Sequence, residues 1–414
     1  MIFYKKFNNG LRLIINKMQG FVSASAGVLV KTGSINESEK ENGISHFIEH
    51  VMFKGTENRT AFEISDHIDR IGAQINAFTS KEMTCYYTKS TGEHLLNSLE
   101  ILSDIFFNSL FEKGELEKEK GVIIEEINMS EDTPEDLLLD LLAQSYYGDS
   151  GLGQTILGPA KNIRSFTRED VLSYMNKYYT ADNVVISLAG DIDIEKAVQF
   201  VEDNFASKFK VFNSSKQNTL QEITKQNLYK SKTIEQSHIG FAMQGISMND
   251  DDIDAFTIAN IVLGGGMSSR LFQKIREDLG LCYSVYSYLS QYKDNGVLEI
   301  YAGVNTEQRD LAVNAIVEEV KKFKKGGITE QEFIRGKEQI KSAFILGREN
   351  TSTQMLLYGK TLLFMDKEFD YQDRLNKLDK LDINQVLGVI DRYFDIKNCS
   401  TATVGSKRTA LKIN

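Results

Sequence analysis

The sequence predicts an α+β protein in which one arrangement of strands and helices is built twice. Three observations carry that expectation. In the first half, short alternating strand segments are followed by long helical runs, the pattern of an α+β fold. A polar stretch at 207–224 (SKFKVFNSSKQNTLQEIT) then lacks apolar periodicity and reads as a linker. After it the order restarts: a strand pair, a helix, a Gly break (Gly114; Gly326-Gly327) and a Glu/Lys-rich helix occur in both halves. Glu125-Glu126-Ile127 of the first copy falls against Glu338-Gln339-Ile340 of the second. The expected domains are 1–206 and 225–414, each an antiparallel-rich mixed sheet with helices packed on it. A chain of 414 residues also exceeds one ordinary hydrophobic core.

The elements follow in order. Residues 2–16 alternate around Asn8-Asn9-Gly10 and predict a hairpin. Phe21 to Thr32 predicts a strand ending at Gly33, and Phe62–Arg70 a helix stopped at Gly72. Gln74–Thr79 and Met83–Lys89 read as paired strands. Helices are expected over 92–110, 114–130 and 134–147, a strand over Val184–Ala189 and a helix over 193–205. In the second half, His238–Ala242 is a strand, and 251–263 and 267–279 are helices. Residues 282–303 form two strands around Asp294-Asn-Gly296, and helices cover 306–324 and 328–348.

Composition narrows the class. Hydrophobic residues make up 41% and charged residues 26%, ordinary values for a globular protein. A net charge of −10 argues against nucleic acid as the main partner and leaves room for a basic peptide. Cys85, Cys282 and Cys399 are odd in number and form no CxxC pair, so neither a disulfide framework nor a thiolate metal site is expected. No apolar run is long enough for a membrane span, and the N-terminus has no apolar segment of a signal peptide. The expected compartment is reducing: the bacterial cytoplasm, with the mitochondrial matrix as the alternative.

The chemistry is concentrated in Gly43-Ile-Ser-His-Phe-Ile-Glu-His-Val-Met-Phe-Lys-Gly55. No Gly or Pro interrupts 44–54 and apolar residues crowd it, so a helix is expected. His46 and His50, at i and i+4, then share one face a turn apart. That spacing lets two imidazoles reach one small cation, for which zinc is the usual occupant. Glu49 sits directly before His50. A carboxylate beside a water held on a cation is the general base of metal-assisted hydrolysis. His-x-x-Glu-His is the inverted order of the common zinc-protease motif. A third ligand is required. The acidic residues of 112–135 are the candidates, and the locally apolar run Val122-Ile-Ile-Glu-Glu-Ile127 favours Glu125 or Glu126 without choosing between them. His67, His94 and His238 have no ligand-spaced partner, and Gly264-Gly-Gly266 lacks the ending of a phosphate loop and reads as a turn joining helices.

Further motifs run the length of the chain: Thr32-Gly-Ser34, Gly43-x-x-His-x-x-Glu-His-x-x-Phe-Lys-Gly55, Asn76-Ala-Phe-Thr79 and Glu119-x6-Glu126, then Leu263-Gly-Gly-Gly-Met-Ser-Ser-Arg-Leu-Phe272 and Arg276-x6-Tyr283. In this order they resemble the pitrilysin/insulysin family of inverzincin metallopeptidases, in the short two-domain branch that includes the mitochondrial processing peptidase and its bacterial relatives. The resemblance implies a metal-dependent endopeptidase holding one Zn2+ per chain. His46, His50 and Glu126 would be its ligands, Glu49 its base and Glu119 a supporting carboxylate on the same helix face as Glu126. It implies that Arg276 and Tyr283 of the second domain reach the substrate and stabilise the developing oxyanion. It makes Asn76, Ala77 and Phe78 part of an edge strand on which an extended peptide adds as a further strand. Asp136 and Asp140 match acidic positions that receive a substrate arginine. Family members enclose a chamber with four such domains, which implies a homodimer or a sister-chain complex. The alternative reading is a non-catalytic structural or partner subunit, a class that loses the metal ligands this chain retains.

Overall fold

A computed structural model of the chain describes residues 1–209, 223–406 and 411. The chain divides into two compact units, each assembled from separated segments. The first gathers 1–127, 155–218 and 345–369, and the second 128–154, 219–344 and 370–414. Of the expected linker at 207–224, residues 210–222 lie outside the described residues.

The first unit holds a six-stranded sheet made of β1 (Ile2–Lys6), β2 (Arg12–Lys17), β3 (Ser23–Val30), β4 (Gln74–Thr79), β5 (Thr84–Thr91) and β6 (Val184–Gly190). Their order is β1-β2-β6-β3-β5-β4, antiparallel except that β2 runs parallel to β6. The second unit holds β7 (Asn227–Ser231), β8 (Gln236–Gln244), β9 (Cys282–Gln291), β10 (Gly296–Asn305) and β11 (Ser400–Gly405). Their order is β7-β11-β8-β10-β9, with β7 parallel to β11. Taken from β2, the first sheet has the strand order of the second, including the one parallel pair beside the first strand. The duplication read from the sequence is therefore present as topology, and the class is α+β.

One face of the first sheet carries the apolar core. Leu13, Ile15, Val28, Val30, Tyr86 and Ile186 meet helix Leu95–Asn108 and the helix of the histidine motif, Ile44–Val51. The opposite face is more polar, and helix Thr351–Met365 covers it. The Ser25 hydroxyl lies 3.0 Å from Thr351 Oγ1, Asn16 donates to Gln354, Ser187 donates to the Met355 carbonyl, and buried Arg12 donates to the Leu362 carbonyl. In the second unit, helix Pro134–Tyr147 packs Leu138 and Leu142 against Gly240 of β8 in a comparable place. Each sheet is thus covered by a helix whose sequence lies in the other half of the chain.

Sequence periodicity did not reveal Thr351–Met365, Arg168–Tyr178, Tyr371–Lys380, Ile383–Tyr393, β7 or β11. The first of these buries Thr351, Gln354, Met355, Tyr358, Thr361 and Leu362 together, so polar and apolar residues are interleaved without a clean stripe. The helix expected over 267–279 starts later, at Arg270, after a turn in which the Gly266 carbonyl accepts from the Ser269 N–H, and Phe272–Asp278 is wound as a π-helix.

Two contacts lead to predictions. A Cβ on Gly33 would lie 2.1 Å from the Ser80 carbonyl oxygen, a backbone atom of the β4–β5 hairpin that cannot yield alone. Gly33→Ala should push that hairpin away and cost roughly 1–3 kcal/mol of stability in a denaturant titration. In the second unit Arg270 grips Glu332 through Nε (2.9 Å) and Nη2 (2.8 Å). Burial opposes ionisation of Glu332, but Arg270 and the Thr329 amide overcome it and hold the carboxyl down to about 2 from 4.5. A depressed carboxyl stabilises the fold above its unfolded pKa and loses that contribution as pH falls. Glu332 should therefore contribute roughly 2–3 kcal/mol at neutral pH that disappears between about pH 4.5 and 2. Glu332→Gln should remove this component from the stability–pH curve.

Candidate metal centre

The motif helix buries Ile44, Phe47, Ile48 and Val51, which leaves His46 and His50 together on another face with ring centroids 4.6 Å apart. It begins at Gly43, whose φ of 99° is left-handed and whose Cβ would meet the Leu157 carbonyl at 2.7 Å. Glycine has no side chain with which to cap the helix. The cap is supplied instead by Glu37, only 5% exposed, which accepts from the Gly43 N–H (2.8 Å), the Ser45 N–H (2.9 Å) and Asn42 Nδ2 (3.0 Å). Burial pushes the Glu37 carboxyl up, and these donors pull it back toward the anion favoured at a helix N-terminus.

A second chain of contacts locks this helix to the sheet. Ser45 Oγ lies 2.9 Å from the Tyr174 hydroxyl, which lies 2.8 Å from Thr32 Oγ1, and the Thr84 hydroxyl of β5 donates to the Thr32 carbonyl. The Thr32-Gly-Ser34 motif is thereby a hub between motif helix and hairpin. Its glycine permits the close approach described above.

The acidic helix, Lys113–Asp132, brings Glu126 to the histidines. Glu126 Oε2 is 3.4 Å from His50 Nε2 and 3.7 Å from His46 Nε2, whereas Glu125 is exposed. Ligand atoms of His46, His50 and Glu126 all lie within 4.8 Å of one another, the one such group of three among the described residues. Glu119, two turns earlier on that helix and 6% exposed, lies 3.2 Å from His50 Nδ1 through Oε2. Its Oε1 is 2.7 Å from Lys54 Nζ. Burial raises the Glu119 carboxyl, but His50 and Lys54 outweigh it and hold it below its ordinary value.

The donor set fits a divalent cation. A carboxylate can only accept, so His50 Nδ1 donates to Glu119, and His50 Nε2 faces Glu126 either as the lone pair of the neutral ring or as a second N–H of the imidazolium. In the neutral ring, that lone pair and the carboxylate converge on a point that a divalent cation would satisfy. The same demand shows in titration: burial pulls His50 down, yet Glu119, Glu126 and Glu49 raise it overall. Burial and the neighbouring His50 push His46 down to about 4, leaving it a neutral imidazole at neutral pH. His46 Nδ1 is buried without a hydrogen-bond partner, so packing rather than a second carboxylate orients that ring.

Glu49 is half-buried next to this group, and its Oε2 accepts from the Thr79 hydroxyl at 2.5 Å. Burial, helped by the charge of Glu126, raises the Glu49 carboxyl, while Thr79 and His50 oppose the rise. Thr79 ends β4, an edge strand of its sheet, which also carries Asn76, Ala77 and Phe78. The remaining expected site residues lie in the second unit. Arg276 stacks its guanidinium 4.6 Å from the Phe272 ring centroid and 4.9 Å from that of Tyr283, which is 77% exposed. Asp136 and Asp140 lie one turn apart on helix Pro134–Tyr147. His238 is a core residue, 2.8 Å from the Tyr301 hydroxyl.

Sequence reasoning missed Glu37, and it quoted Lys54 and Thr79 within motifs without their contacts to Glu119 and Glu49. Lys54 follows His50 by four positions, a spacing that hinted at a shared face. Glu37 gave no periodic signal, because its partners lie across a turn. Replacing Glu119 by Ala should leave the chain folded and weaken divalent-ion affinity about 10–100-fold, measured by competition with a chromophoric chelator.

Comparison with known proteins bears on this geometry. Residues 13–160 match the family model described as insulinase (peptidase family M16), and residues 165–340 match the one described as peptidase M16 inactive domain. A Bacillus subtilis protein named an uncharacterized zinc protease is 41% identical, over 93% of this chain and 94% of its own. A Rickettsia felis protein named likewise is 35% identical over 94% of each. Among solved structures, a protease from Helicobacter pylori shares the fold with a TM-score of 0.89 at 24% identity, covering 98% of this chain and 99% of its own. The metal group falls wholly within the part matched by the insulinase model, and the chain belongs to the insulinase family, peptidase family M16.

Proposed function

We propose that the protein is a zinc-dependent endopeptidase that hydrolyses peptides or unfolded segments bound in extended form. The observation that carries this reading is the convergence of His46, His50 and Glu126, with Glu49 beside them and an edge strand adjacent. The zinc-protease names of its relatives support it. His46 Nε2, His50 Nε2 and a Glu126 oxygen would hold the ion. Glu119 fixes the His50 ring through Nδ1, and Lys54 balances the charge of Glu119. When bound, zinc supplies Lewis-acid polarisation of the scissile carbonyl and acidifies water.

The remaining work belongs to the chain. Glu49 accepts a proton from the attacking water as its oxygen bonds to the carbonyl carbon. It returns that proton to the amine nitrogen as the C–N bond breaks. A carboxyl raised by burial is suited to both halves of this exchange. The free edge of β4 offers main-chain hydrogen bonds to an extended peptide, so Asn76, Ala77 and Phe78 would line it. Arg276 and Tyr283 are proposed, on family resemblance, to stabilise the oxyanion, and Asp136 and Asp140 to favour arginine near the scissile bond. A homodimer or sister-chain complex is the proposed assembly. The division into a catalytic part at 1–206 and a metal-free part at 225–414 belongs to the same proposal. Among the described residues no helix is long and apolar enough to cross a membrane.

The test is cleavage of a mixed peptide library by the purified chain, with zinc content assayed in parallel. Glu49→Gln should retain about one zinc per chain and lose on the order of 10²–10⁴-fold in kcat/KM. Chelation should abolish cleavage and zinc should restore it. Zinc retention without cleavage by the wild type would favour a missing partner chain or the non-catalytic subunit reading instead.

A further inference from the structure

We propose that Thr79 is the positioning residue of the general base: its hydroxyl holds one oxygen of Glu49 so that the other faces the water to be deprotonated. The inference rests on the reading of Glu49 as that base and adds how the carboxylate is aimed. Among the described residues, the Thr79 hydroxyl is the one side-chain donor to Glu49, and it reaches Oε2 alone. No side chain among the described residues is seen to donate to Glu49 Oε1, and the Thr79 main-chain amide adds a lesser contact to the same carboxylate. A glutamate with neither oxygen anchored turns freely about its last torsion, which is broad and roughly two-fold. Anchoring one oxygen selects the orientation that serves proton transfer.

The anchor is itself held. Thr79 is the last residue of β4, opposite Thr84, and the turn beyond it is closed by Ser80 Oγ donating to the Met83 carbonyl and accepting from the Met83 N–H. The Ser80 carbonyl abuts Gly33, and Thr84 bonds the Thr32 carbonyl, so the hairpin cannot drift from the motif helix without breaking the Thr32–Tyr174–Ser45 chain. Thr79 also lies on the edge strand that would receive the substrate. Peptide docking on β4 and aiming of the base are therefore tied to one short element.

The test uses the full-length, zinc-loaded chain on a peptide that the wild type cleaves. Thr79→Val keeps the branched shape and removes the hydroxyl, and Thr79→Ser keeps the hydroxyl and removes the methyl. The expected result is a fall in kcat of about 10–100-fold for Thr79→Val. KM, zinc content and melting temperature should be nearly unchanged, and Thr79→Ser should stay within about 3-fold of wild type in kcat. Should Thr79→Val fail to fold or load zinc, Thr79→Ala removes the same hydroxyl and is compared with Thr79→Ser in its place. A hydroxyl-free variant with wild-type kcat overturns the proposal, as does an equal loss in Thr79→Ser. Absence of cleavage by the wild type overturns the endopeptidase reading and the proposal with it. A cleaving wild type with an insensitive Thr79 overturns the proposal alone.

Discussion

The first unit is organised around an electrostatic demand: two imidazole nitrogens and a carboxylate oxygen held within 4.8 Å of one another. Imidazole lone pairs and a carboxylate oxygen converging on one point repel unless a cation or a proton joins them, and low local dielectric sharpens the effect. The surrounding polar groups oppose the spreading that repulsion favours. Glu37 caps the motif helix from a buried position, and the Ser45–Tyr174–Thr32 chain ties that helix to the sheet. Glu119, neutralised by Lys54, grips His50 from behind. Each of these groups is buried or half-buried, so each interaction is worth more than its exposed counterpart.

The duplicated topology gives the chain two similar sheets and one metal group. The second copy has Gln339 where the first has Glu126 in the sequence register, and its described residues hold no comparable cluster. What the second copy keeps is the sheet, its own edge strand β9, and the exposed Arg276–Tyr283 stack. Its motif arginine, Arg270, has a structural explanation in the two-pronged grip on Glu332 and a bond to the Gly327 carbonyl. The most recognisable residues of the second half thus divide between support and exposed chemistry.

The exchange of helices shows where local reasoning stops. Helix Pro134–Tyr147 was legible because Pro134 opens it and its leucines mark a buried face. Helix Thr351–Met365 was not, since it buries hydroxyls and amides along with apolar residues against a polar sheet face. Nor could local sequence say that each helix covers the sheet formed mainly by the other half. That assignment depends on which sheet face lacks a cover, a property of the assembled unit.

The sequence by itself determined the α+β class, the duplication, the hairpins and the pairing of His46 with His50. The duplication follows from the recurrence of element order in the two halves, and the others from backbone periodicity and spacing within a few residues. It narrowed the third metal-facing group to Glu125 or Glu126 on physical grounds, and family resemblance named Glu126. Only the tertiary structure decided the geometry, because the turn of the acidic helix that faces the histidines is set by packing between segments 76 positions apart in the chain. The same holds for Glu37, Lys54 and Thr79. Lys54 reaches Glu119 and Thr79 reaches Glu49 only when separate segments are brought together, and Glu37 reaches the helix start across an irregular turn, so no periodicity along the chain encodes these contacts.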